Sequence, residues 1–72
     1  MPKPPKRRAY LVSVSQRGEA VRVYAVLATA PDEALEAIAL NAPPTARLEI
    51  VGGLSRDLAK RLRLKPLEPL LV

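Results

Sequence analysis

The chain has 72 residues, with 12 Lys or Arg against seven Asp or Glu, no His and no Cys, and a formal net charge of +5. That length makes one domain at most, and a chain that buries only about 60–65 % of its unfolded surface has a thin margin of stability. Without Cys or His there are no disulfides, no thiolate or imidazole metal sites and no imidazole general base, so catalysis is not expected.

Residues 1–8 (MPKPPKRR) hold three Pro and four cations, Lys3, Lys6, Arg7 and Arg8, and no acid. Such a segment cannot bury enough apolar surface to offset its ordering entropy, so a flexible, extended basic arm is expected, with a single folded domain over 9–72.

Residues 9–28 predict a β-hairpin. Tyr10, Val12 and Val14 alternate with Leu11, Ser13 and Ser15, and Val21, Val23, Ala25 and Leu27 alternate with Arg22, Tyr24, Val26 and Ala28. Gly18 suits a positive-φ turn position. With Arg17 and Gly18 centring the turn, Val14 faces Val21, Val12 faces Val23 and Tyr10 faces Ala25. One face is then apolar, and the other carries Leu11, Ser13, Arg22, Tyr24 and Val26.

Residues 31–41 predict a helix. Pro31 suits its first position, Asp32 and Glu33 complement the macrodipole, and Leu35, Ile38 and Ala42 form an apolar stripe widened by Ala34 and Ala39. Asn41 and Pro43-Pro44 end it. Residues 47–51 predict a third strand, broken by Gly52-Gly53. Ser55 is a good N-cap for a second helix over 56–63, with Leu54, Leu58 and Leu62 on one stripe and Arg56, Lys60 and Arg63 facing outward. Pro66 stops that helix, and residues 67–72 form either a short edge strand or a packed tail. The expected fold is α+β: a small two-layer β-β-α-β-α domain whose antiparallel sheet has order 2-1-3, with two helices on one face and a possible short C-terminal strand.

Leu54–Pro66 resembles the helix-and-Lys-Pro segment of AbrB-type DNA-binding proteins over thirteen residues. That pattern has Gly where Arg63 and Leu67 stand, and strands beyond. What the likeness carries is an amphipathic basic helix followed by Pro.

Chemistry for catalysis is scarce. Ser13, Ser15 and Ser55 have no His to activate them, and the Asp32–Glu33–Glu36 cluster is accounted for by the helix dipole. No cofactor or metal is expected. Gly52-Gly53, between a strand and a helix, offers free N–H groups to a phosphate or serves as a plain turn.

Charge is divided by segment. Residues 53–66 carry Arg56, Lys60, Arg61, Arg63 and Lys65 against Asp57 alone, whereas residues 17–52 hold three cations and five acids. A basic arm and a basic helix are the footprint of a phosphate-binding protein. The leading expectation is therefore a non-enzymatic nucleic-acid-binding accessory protein, for DNA or RNA. Its contacts would be Lys3, Lys6, Arg7 and Arg8, the second-helix cations, and Arg22 with Tyr24 as a stacking pair on the open sheet face. The alternative is a small adaptor or inhibitor of phage or mobile-element type, docking through an acidic protein surface on a nucleic-acid-processing machine. The apolar outer face of the hairpin also suggests a homodimer. No targeting segment or 18-residue apolar run is visible, so a cytoplasmic, non-membrane protein is expected. Single Asn, Gln and Met residues and eight Pro resemble thermophile composition, or a high-GC genome.

Overall fold

A computed structural model describes residues 6–72, so Lys3 and the first five residues of the expected arm lie outside the described part. Of the residues assigned to that arm, one is placed in the sheet. Arg8 is already the first residue of strand β1 (Arg8–Ser15), paired with Ala28 of β2 (Arg22–Ala28).

The hairpin forms, but its register differs from the expected one. Tyr10 lies opposite Val26, Val12 opposite Tyr24 and Val14 opposite Arg22. This is a one-residue slip, and it turns every β2 side chain to the other face. Residues 23–28 are apolar throughout, so alternation on β2 specifies its face only weakly, and the turn decides. A two-residue loop centred on Arg17-Gly18 in the type I′ form would need positive φ at both residues. Here Gly18 alone takes it, at φ 82, while the Glu19 N–H donates to the Gln16 carbonyl at 3.1 Å. The turn is of type II character, and β2 starts one residue later.

Helix α1 (Pro31–Ala39) covers one face of the sheet. Its Ala34, Ala37 and Ile38 are buried against Val12, Val26 and Ala28, with Tyr10, Tyr24, Leu48 and Ile50 packed around them. Ala37 takes the inward place expected for Ala39, which is exposed. The Glu33 carboxylate accepts from the Thr29 N–H at 3.0 Å and from its hydroxyl at 3.2 Å, satisfying a donor ahead of the first turn.

Strand β3 (Arg47–Leu54) pairs antiparallel with β1 and runs through Gly52 and Gly53, which were expected to break it. The register shifts between Leu11 and Val12, where Leu11 faces Gly52 and Val12 faces Ile50, leaving Val51 as the extra residue of a bulge. The glycines permit this approach: a Cβ on Gly53 would sit 3.2 Å from the Ala9 carbonyl oxygen.

Helix α2 (Arg56–Arg61) ends two residues early. The Leu58 N–H donates to the Ser55 hydroxyl at 3.2 Å, as the N-cap reading requires. At the other end Arg63 adopts φ 53, its N–H bonds the Lys60 carbonyl, and the Leu64 N–H bonds the Ala59 carbonyl. That pair of bonds is a Schellman motif with Arg63 at C′. No residue of α2 is buried, and Leu58 and Leu62 are 45 % and 39 % exposed, so the expected inward stripe is absent. Both helices were expected in one layer on the sheet, but the buried core draws on α1 alone.

The chain then turns at Lys65–Glu68, with Leu67 at φ 60, and follows the free edge of β2. Leu67 and Val72 donate to the Leu27 and Val23 carbonyls, and the two-residue β4 (Leu70–Leu71) pairs with β2 between them. The sheet is four-stranded and antiparallel, in order β3-β1-β2-β4. The expected order 2-1-3 lacked this fourth strand. Among the described residues, no helix is long and apolar enough to cross a membrane.

Candidate functional site

The bulge and the close Gly53–Ala9 approach bring the end of β3, and α2 after it, beside the start of β1. A cleft of about 900 Å³ opens there. Among the described residues, its charged lining is Lys6, Arg7 and Arg8 from the first basic segment and Arg56, Lys60 and Arg63 from α2 and its C′ position, with no Asp or Glu. The Schellman turn folds the chain back so that Arg63 and the half-buried Leu64 stay on this wall rather than continuing along a helix face.

Two segments about fifty residues apart in sequence thus place six cations around one concavity. All six are exposed. Like charges confined between protein walls raise the local positive potential, which favours a polyanion and disfavours an empty cleft at low salt.

The remaining predicted residues are not there. Arg61 and Lys65 are exposed but lie outside the cleft lining. Arg22 and Tyr24 line a separate cavity of about 200 Å³, with Glu19, Asn41 and Pro69. Tyr24 packs against the α1 core instead of lying on an open face. This is a direct result of the hairpin register. It also dissolves the Leu11–Tyr24–Val26 surface on which self-association was expected, because Val26 is fully buried.

Gly52 and Gly53 face Leu11 and Tyr10 within the β3–β1 ladder and are not a free phosphate-binding turn. Ser13 is nearly buried and its hydroxyl donates to the Glu49 carbonyl at 3.5 Å, a structural role. Among the described residues, no group of three or more His, Cys, Asp or Glu is placed to hold a metal.

One cleft residue was missed from sequence. Tyr10 lines the same concavity as the six cations, next to Arg8 in space and two residues from it in the strand. The signal was there: a strand that begins with a cation and carries an aromatic two residues later puts both on one face. No family model, no curated protein and no solved structure matches the chain.

Proposed function

We propose that this protein is a non-enzymatic nucleic-acid-binding accessory protein of the cytoplasm, holding phosphates in the cleft between β1 and α2. The observation that carries this reading is the convergence of Lys6, Arg7, Arg8, Arg56, Lys60 and Arg63 on one cleft without a carboxylate. A merely solvated helix face has no reason to meet a second basic segment, and the mutual repulsion of these charges is relieved by a polyanion. Affinity then comes from counterion release and is tolerant of sequence.

The test is the triple change Arg56→Glu, Lys60→Glu, Arg63→Glu. The first two residues are exposed helix positions, so the fold should be retained within about half a kcal/mol each. Binding of every DNA and RNA sequence should fall together, since phosphates are the common target. The double change Arg61→Gln, Lys65→Gln, outside the cleft, should leave it intact. Equal loss from both sets would remove the cleft as the site.

A second reading has one observation in its favour. Leu58, Leu62, Leu71 and Val72 are all exposed, and apolar side chains of this kind anchor protein partners. On that reading the chain is an adaptor that meets an acidic surface, and the wild type shows no appreciable nucleic-acid affinity at physiological salt.

A further inference from the structure

We infer that the cleft takes single-stranded rather than duplex nucleic acid, and that Tyr10 stacks on a base within it; this deepens the nucleic-acid reading above and rests on it. Of the two aromatic side chains, Tyr10 alone lies among the cations, while Tyr24 sits in the other cavity. On β3 its cross-strand neighbour is Gly53, with Gly52 beside it, and both are exposed. The ring therefore borders a strip of bare backbone at these two positions, which carry no side chain to block the approach of a planar group.

The rest of the lining is informative too. Leu27, Ile50, Leu54 and Leu64 line the cleft together with the cations. A duplex offers phosphates outside and keeps its base faces stacked inside, so these apolar side chains have nothing to meet. A single strand offers both phosphates and free base faces. The concavity has the volume of a small-ligand site, enough for a short stretch of extended strand. Among the described residues, no Asn, Gln, Asp, Glu, Ser or Thr lines it, so they offer none of the amide and carboxylate contacts that read adenine and cytosine edges. Stacking with phosphate neutralisation, a sequence-tolerant mode, uses the tyrosine and the cations that are present.

The chain contains no Trp, so in a Tyr24→Phe variant Tyr10 is the only strong emitter. That variant is titrated with a thymidine oligonucleotide, an abasic oligonucleotide of equal length and a duplex of equal length. The base-bearing strand should quench Tyr10 emission and bind at least about fivefold more tightly than the abasic strand, and more tightly than the duplex. Tyr10→Phe should keep that advantage, and Tyr10→Leu should lose it while abasic binding stays the same. Because Tyr10 also touches the core, a strand carrying 5-iodouracil provides a readout in the folded wild type, and its photo-cross-link should map to Tyr10. Equal affinity for base-bearing and abasic strands, or cross-links only at other residues, overturns the stacking inference and leaves the phosphate-binding reading standing. Absence of binding by all three nucleic acids at low salt overturns both.

Discussion

Arg63 shows how a single residue trades stability for placement. A left-handed backbone costs an L-residue roughly 1–2 kcal/mol, which is why Gly dominates at C′. Here an Arg accepts φ 53, and its side chain lines the cationic cleft. Arg63→Gly should relieve the strain, less the roughly 0.5–1 kcal/mol that Gly loses in chain entropy. The expected net gain of about 0.5–1 kcal/mol should appear locally, as hydrogen exchange at the Leu58–Leu62 amides slowed about two- to fivefold. The same variant should bind nucleic acid more weakly than wild type. Faster exchange would show that the Arg63 side chain stabilises the turn in some other way. Leu67, at φ 60, follows Pro66 in a turn closed by the Glu68 N–H on the Lys65 carbonyl.

At the scale of elements, the local signals were legible and the long-range ones were not. Pro31 and Ser55 mark where the helices start because capping is decided by neighbours within a turn. The hairpin register was misread because residues 23–28 are apolar on both faces, so only the turn geometry distinguishes the two pairings. Gly52-Gly53 looked like a strand break because glycine weakens isolated strands; its use here, to let β3 approach Ala9, depends on a partner forty residues away. Helix α2 is the least anchored element: six residues, none buried, held at its start by Ser55. Ser55→Ala removes the hydroxyl that satisfies the Leu58 N–H, a change worth about 1 kcal/mol in a helix. Since α2 contributes nothing to the core cluster, the loss should appear locally. Hydrogen exchange at the amides of Leu58–Leu62 should speed up about fivefold, while the global Tm moves little and nucleic-acid affinity drops as Arg56 and Lys60 lose their positions. A global loss of about 1 kcal/mol with uniform exchange would mean that α2 unfolds only with the whole domain.

On the scale of the whole molecule, composition showed two basic segments but not that they meet. Their meeting depends on β3 pairing with β1, a contact across the chain that no local pattern announces. It has a measurable consequence in the salt dependence of binding. Each phosphate contact to a single strand contributes about 0.7 to the slope of log K against log salt. Lys6→Gln with Arg7→Gln should therefore reduce the slope by about 1.4, and Arg56→Gln with Lys60→Gln by a similar amount. If both pairs line one cleft and meet one strand, all four changes together should reduce it by about 2.8. All four side chains are exposed, so an unchanged Tm serves as the control for folding. The slope is read from the anisotropy of a labelled oligonucleotide between about 50 and 200 mM salt. If the Lys6–Arg7 pair leaves the slope unchanged, the first segment has no part in binding and the cleft has a single working wall. If the slope contributions add only on long oligonucleotides and not on short ones, the two segments hold separate stretches of the strand instead of sharing a cleft.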